Sequence, residues 1–561
     1  MPKKILTFLN KEFNGINEAA LLLGGFAFLS QILGLIRDRT LASVIGPGPI
    51  LDTYYAAFRI PDFLYISIAS LASVTVLLPF LMEKMKGEDS VAKARSFLNN
   101  VFSAYMLFMI SASVLVVVLM PYIATYIAPG FSSSQMSSLI LTSRIMLLSP
   151  ILIGLSNLIG SVTQLFKNFF IFSLSPIFYN VGILVGIIFL YPIWGVHGLA
   201  FGVILGATMH LLTQIPVVVR HGLFPQLIFK INWKEILQVM KLSLPRTLAL
   251  SCNSFAFIIL IAMASTLKEG SISLFTFSYN LQSVPVGIIG ISYSVAAFPI
   301  LVKSFSLKDM DKFVGHIIGA SKQIIFWTLP VIALIAVLRA QIVRVVLGVN
   351  AFSWSDTRLT AAAIALFIIS LVSQSLVLLF VRGYYAAAKT KKPLIVNMFS
   401  SFMVIVFAYL ILYIFKNYPN TLFSIESLLR VKDVKGTIML ALPLAYAMGS
   451  LLNFFLIWIL FKRDFIKKGK IMLSKTFFEV LLGAVTMGLF AYISLNIFSN
   501  IFNLETFLGI FLQGFISGII GIIFGVLVLF LFKNKELLDI IKVLSRKLSN
   551  KGIVAPEQRE L

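Results

Sequence analysis

From Ala19 to Phe532 the chain is a succession of apolar runs, each about 20 residues or longer. That succession leaves few folds open. A run of this length is what an α-helix needs to cross about 30 Å of hydrocarbon. Inside hydrocarbon every backbone N–H and C=O must be satisfied internally, which a helix does along its own length. Hydrophobic residues make up 59% of the chain and charged residues 12%, against about 45–50% and about 25% in soluble domains. Little remains from which to build a soluble domain. The expected fold class is an all-α polytopic membrane protein of about fourteen transmembrane helices.

The spans are expected near 19–45, 51–83, 96–126, 134–164, 168–191, 196–219 and 237–265. They continue near 271–302, 313–340, 356–388, 393–415, 437–461, 474–498 and 506–532. The connections provide an independent check. Alternate ones carry Lys3, Lys4 and Lys11, then Lys84, Lys86, Lys93 and Arg95, and so on to the tail from Lys533 to Lys551. The intervening Gly46–Ile50, Pro129–Ser133 and Pro192–Gly195 contain no Lys or Arg. Cytoplasmic loops of membrane proteins carry the basic excess, so the alternation predicts an even number of spans with both termini cytoplasmic. That bias and attraction to anionic membrane lipids account for the net charge of +24 without nucleic acid. The opening MPKKILTFLNKEFNGINEAA has no cleavage pattern and runs into a full span, so it is expected to be retained. The single cysteine, Cys252, excludes an intramolecular disulfide and a Cys-rich metal site.

An internal repeat is visible. Pro176-Ile-Phe-Tyr-Asn180 enters the fifth span as Pro393-Leu-Ile-Val-Asn397 enters the eleventh, 217 residues later. Leu78-Pro79-Phe80-Leu81 in the second span is echoed by Phe298-Pro299-Ile300-Leu301 in the eighth. An offset of six spans preserves direction, so two parallel six-helix lobes related by a pseudo-two-fold are expected. Repeats of this kind commonly place substrate where the halves meet. The domain reading is an N-lobe over 1–219, a C-lobe over 220–461, a further helix pair over 462–532 and a basic cytoplasmic tail over 533–561. The pair reads as a lipid groove or a lipid-facing brace, and the tail as a membrane-surface anchor.

Ionisable groups inside spans cost several kcal/mol unless they face a wet cavity or each other. The stretch Ser30–Leu64 concentrates them: Arg37, Asp38, Arg39, Asp52, Arg59 and Asp62. The arginines lie toward the side that the positive-inside bias disfavours, although snorkelling to the interface competes as an explanation. Gly46-Pro47-Gly48-Pro49 forms a tight turn, which is expected to bring Arg37, Arg39, Asp52 and Arg59 near one another. Arginine suits a phosphate ligand, because its planar fork donates two parallel hydrogen bonds and keeps its proton. Asp38, Asp52 and Asp62 would hold the arginines in place or compete with ligand.

Arg144 in the fourth span and Arg246, after Pro245 in the seventh, extend the set. For Arg144 a structural bond to a backbone carbonyl is the rival reading. Pro245 removes a backbone hydrogen bond and would kink its helix, as a gate requires. In the eighth span Asn280, Gln282, Pro285, Gly287 and Gly290 suit a bend with close helix contacts. Arg339, Arg344 and Arg382 lie near helix ends, where snorkelling suffices.

His197, His210, His221 and His316 are scattered without ligand spacing, and the chain has no phosphate-binding G-x4-G-K-[ST] loop. Nor is there a cytoplasmic aspartate cluster to carry Mg²⁺. The expectation is a transporter: no enzyme, no catalytic residue and no bound metal.

The stretch GLIRDRTLASVIGPGPILDTYYAAFRIPDFL resembles the signature of the MurJ/MviN lipid II flippases, within the multidrug and oligosaccharidyl-lipid exporter class. LPRTLAL, YNLQSVPVGIIGISYSVAAFPIL and RGYYAAAKTKKPLIVN resemble later segments of that family. The resemblance implies a fourteen-helix, MATE-like fold with a central cationic cavity and a groove beside the last two helices for an undecaprenyl chain. Arg37, Asp38, Asp52 and Arg59 match charged positions of the motif. The chain departs at Gln31, Tyr65, Ile66, Ser70 and Asn280, where the family often has charged residues. Arg246, with Arg144, is expected to supply the missing positive charge.

The implied activity is export of lipid II or a similar polyprenyl-diphosphate glycolipid across the bacterial cytoplasmic membrane. It would proceed by alternating access and draw on the membrane potential, with no cofactor. Some relatives couple to Na⁺ or H⁺, but the seventh and eleventh spans hold no Asp or Glu. A Na⁺ site there would need neutral oxygens such as those of Asn253 or Asn397. Arg37, Arg39, Arg59, Arg246 and Arg144 would bind substrate, with Asp38, Asp52, Asn280 and Pro245 supporting or gating. Membrane lipids and cell-wall synthesis proteins are the expected partners. An O-antigen or capsule-type flippase is the alternative with the same physics. A drug/cation antiporter would favour acids over arginines, and a scaffold would need no cavity at all.

Overall fold

The computed structural model describes residues 16–68, 74–86, 89–466 and 473–548. Side chains of a few helical residues, Pro245 and Arg246 among them, lie outside the described set. The described chain is helical, with no strand. Among the described residues twelve helices are long and apolar enough to cross a membrane, from Ser90–Ile127 to Phe507–Leu531. They coincide with the third to fourteenth expected spans.

The first expected span is the Ile16–Val44 helix. The second is not one continuous helix. It breaks at Phe58, between Pro49–Ala57 and Arg59–Ile68, and its last described part is Val74–Lys84, with 69–73 outside the described residues. Pro61 explains the break at Phe58, because it offers no N–H to the carbonyl of Ala57 one turn earlier. The eighth span is irregular at the place where a bend is expected. Its Ser271–Pro285 helix passes at Pro285 into a π-helical turn, Val286–Ile291, and resumes as Ser292–Ser306. The fifth span widens likewise at Gly186–Leu190.

The chain divides into two compact units. One comprises Met1–Phe277, Val346–Thr360 and Thr390–Ala445. Its apolar core includes Leu77, Leu81, Phe97, Leu98, Leu158, Val162 and Val218, all buried. The Phe169–Val185 and Val196–Arg220 helices meet there through glycines: a Cβ on Gly182 would lie 2.3 Å from Gly206 Cα, and one on Gly186 2.5 Å from Gly202 Cα. Removing side chains at one-turn spacing lets the two backbones touch, which is how helices gain van der Waals energy in lipid.

The other unit comprises Ser278–Val345, Ala361–Lys389 and Tyr446–Leu561. Its core is aromatic: Phe461 lies 5.1 Å from Phe380 and 4.9 Å from Phe465 between ring centroids, and Tyr384 Oη donates to Asp464 at 3.0 Å. The Leu473–Phe498 and Phe507–Leu531 helices pair through Gly483, Gly521 and Gly525, with Phe490 stacked on Phe524 at 3.7 Å. The expected basic tail begins with the Lys535–Leu548 helix. Asn534 Nδ2 donates to Glu479 at 2.8 Å and ties that helix to the pair.

Candidate functional site

The charged hairpin around the glycine-proline turn lies wholly in the first unit. Gly46 has φ +75°, and a Cβ there would sit 2.7 Å from the Ala351 carbonyl oxygen. Only glycine fits that backbone region and that approach without strain. Ser43 completes the clasp, its carbonyl accepting from Ala351 N at 3.3 Å and its hydroxyl from Asn350 Nδ2 at 3.0 Å.

Asp52 faces the Ser271–Pro285 helix rather than the arginines. One carboxylate oxygen accepts from Ser273 N at 2.8 Å and Ser273 Oγ at 2.6 Å, and the other from Gly270 N at 2.7 Å. A carboxylate at a helix N-terminus satisfies orphan N–H groups and complements the macrodipole. Arg39 is directed the opposite way electrically: its Nη1 donates to the Val346 carbonyl at 3.4 Å, at the C-terminal end of the Met310–Val346 helix. Both side chains fasten the hairpin to helix ends.

Deeper in the span, Arg37 makes a different arrangement. Its Nε and Nη2 donate to Asp38 Oδ1 at 3.0 and 2.8 Å, and Nη1 donates to Asn180 Oδ1 at 3.3 Å. Asn180 is itself fixed, its Nδ2 donating to the Pro176 carbonyl at 3.1 Å and to Ser30 Oγ at 3.4 Å. Pro176 to Asn180 is the repeated P-x3-N segment, and here it orients the arginine. Asp38 is buried, whereas the Arg37 side chain keeps 26% of its surface exposed. Arg59 donates Nε to the Tyr55 carbonyl at 3.0 Å, and its guanidinium lies 4.8 Å from the Phe257 ring centroid.

Arg144 is exposed and donates Nε to the Val117 carbonyl at 3.0 Å. In a regular helix that carbonyl would receive the N–H four residues on, which here is Pro121. Arg144 thus serves an acceptor that a proline has orphaned. Pro245 and Arg246 belong to the Trp233–Ser265 helix, and their side chains lie outside those described. Asn280 stands in the second unit nearly two turns before the π-helical turn, and its carbonyl accepts from Ser283 Oγ at 2.7 Å. Nearby, Gln374 Nε2 donates to the buried Gln282 at 3.3 Å.

A cavity of about 250 Å³ opens in the first unit, lined among others by Phe58, Asp62, Tyr65, Ser149, Tyr179 and His210. The Tyr65 hydroxyl accepts from Asn157 at 2.6 Å. His210 Nδ1 lies 2.7 Å from Ser156 Oγ, which also accepts from Gln214 Nε2 at 2.6 Å. Sequence spacing gave no hint of Tyr179 or His210 as cavity residues, because four separate helical segments bring them together. Nothing local to either residue could have revealed it. Among the described residues no group of His, Cys, Asp and Glu is arranged to hold a metal ion.

Comparison with known proteins places this geometry. The family model described as "Lipid II flippase MurJ" matches residues 41–513. A protein of Buchnera aphidicola subsp. Acyrthosiphon pisum named "Probable lipid II flippase MurJ" is 26% identical over 376 residues, covering 66% of this chain and 73% of its own length. One of the same name from Borreliella burgdorferi is 27% identical over 380 residues, covering 67% and 74%. A solved structure titled "Lipid II flippase MurJ, inward closed conformation" superposes with TM-score 0.70 at 21% identity, over 93% of this chain and all of that one. A multidrug resistance MATE family transporter in an inward-facing conformation superposes with TM-score 0.59 at 17% identity, over 77% and 95%. The two structures establish the fold.

Proposed function

The chain belongs to the MurJ lipid II flippase family, and from that premise we propose that it carries lipid II from the inner to the outer leaflet of a bacterial cytoplasmic membrane. The observation that carries the reading is the family match across residues 41–513, which spans nearly every helix described above. The cargo is a polyprenyl chain joined through a diphosphate to a peptidoglycan precursor, and the transporter opens alternately to the two sides of the membrane. Both termini lie on the cytoplasmic side.

We assign the diphosphate to Arg37 and Arg59, with Arg246 as a third cation. Arg37 supports the assignment best. It is held by Asp38 and Asn180 yet keeps part of its surface open, so a phosphate has a pre-oriented guanidinium to meet. Arg39 and Arg144 are assigned to the backbone carbonyls they already serve. Asp52 works as a latch on the Ser271–Pro285 helix, whose release accompanies opening toward the outside. With the cell interior negative, moving net negative charge outward is favoured by about 2.3 kcal/mol per charge per 100 mV, and Na⁺ or H⁺ moving inward would add to the drive.

Complementation tests the reading. Expressed in bacteria depleted of their own lipid II flippase, the chain is expected to restore growth. A strain lacking only an O-antigen flippase should gain nothing. Rescue of the second strain and not the first would transfer the assignment to another glycan.

A further inference from the structure

We propose that the cavity built on Asp62 is a binding site for a monovalent cation, separate from the arginines assigned to the diphosphate. A carboxylate in a membrane span is retained only where something offsets its desolvation. Asp38 has Arg37, and Asp52 has three donors. Asp62 has neither: its N–H donates to the Phe58 carbonyl at 2.9 Å, but among the described residues its carboxylate makes no salt bridge and no hydrogen bond, and Arg59 one turn earlier acts on it through space. Its side chain is exposed into the cavity.

The walls fit the same ligand. Phe58, Tyr65 and Tyr179 supply aromatic rings, whose faces attract cations. The buried Ser149 and the two phenols bring neutral oxygen. His210 is the other titratable group on the lining besides the phenols, and it is engaged with Ser156. Arg37 is not on the lining; it is paired with Asp38 and acts electrostatically on the Tyr179 phenol. An anion would meet an unpaired carboxylate here, so the sign of the site is set by Asp62. The volume of about 250 Å³ falls below the roughly 300–1,000 Å³ of pockets for drug-sized ligands, which suits an alkali ion with water or one primary ammonium group. The two sources are free Na⁺ and an amine on the transported lipid's peptide; the second rests on the lipid II reading and the first does not.

The test is equilibrium binding of radioactive sodium to the purified full-length protein in detergent, with methylammonium as competitor. Saturable sodium binding is expected, weakened roughly tenfold or more by Asp62→Asn and largely kept by Asp62→Glu, the scale of one charge-assisted contact. Displacement by methylammonium at similar concentration points to an amine of the cargo, and resistance to it points to free Na⁺. Either result supports a cation site whether or not lipid II is the cargo. Should Asp62→Asn fail to fold, carbodiimide labelling of Asp62 in the unmodified protein gives the second reading, with sodium slowing it. Absence of sodium binding, equal binding by Asp62→Asn, or labelling that sodium does not slow would overturn the proposal.

Discussion

The two ends of the charged hairpin use the same residue types for opposite purposes. At the turn, Asp52 and Arg39 are engaged with backbone at the ends of two other helices, and Gly46 lies against Ala351. Deeper in the span, Arg37 is held by side chains alone, and Asp62 faces a cavity. The contrast teaches that a charge inside a hydrophobic segment does not declare its role by depth. What decides is whether orphan backbone groups are within reach. At helix ends and beside prolines they are, and a charged side chain there is consumed by structure.

The comparison breaks first at Asp52. Replacing it with Ala strands Gly270 N–H and Ser273 N–H and leaves the Ser273 hydroxyl only the Gly270 carbonyl, at a cost of about 2–4 kcal/mol. Thermal unfolding of the purified protein should show a clear drop, and an unchanged midpoint would mean that the latch is not made. Next is Arg37→Ala, which removes the guanidinium that donates twice to buried Asp38. With Arg37 partly exposed, a loss of about 1–3 kcal/mol is expected. Arg37→Ala with Asp38→Ala should recover most of that stability while transport stays lost. Joint recovery of stability and transport would reduce the pair to a structural one.

Arg144→Ala should cost about 1 kcal/mol and leave transport intact. The sharper form adds Pro121→Ala, which returns a helical N–H to the Val117 carbonyl. In that background the Arg144→Ala cost should vanish, and a cost that persists would contradict the assignment. The smallest effect lies outside the spans, at Asp433, where Arg358 donates to both carboxylate oxygens. The Arg358 guanidinium holds the Asp433 carboxyl below the usual carboxylate range. The folded state is therefore favoured at neutral pH, and that advantage fades as pH falls through the lowered value. Because this carboxylate is solvent-exposed, Asp433→Asn should barely alter the pH dependence of unfolding.

Run length made twelve of the expected helices legible, since nothing but a span explains 20 apolar residues in a row. The irregular turn of the eighth span was legible too, in Pro285 and its glycines. The break at Phe58 was harder to see, because hydropathy is blind to the carbonyl that Pro61 leaves without a partner. In the hairpin, residue type and local spacing marked Arg37 and Asp38. They did not reveal that Asn180 completes the arrangement or that Asp52 turns to a helix end 218 residues later. Such partners are chosen by helix packing, and packing register is not written in any one segment. Arg144 shows this most plainly, since its role exists only because Pro121 stands opposite it on another helix.

Outer-leaflet accessibility of lipid II in cells depleted of their own flippase separates transport from structural roles. The chain and its Arg144→Ala variant should restore accessible lipid II, whereas Arg59→Ala and the Arg37→Ala, Asp38→Ala double variant should not, at equal expression. Failure of the unmodified chain, or full restoration by the double variant, would contradict the account.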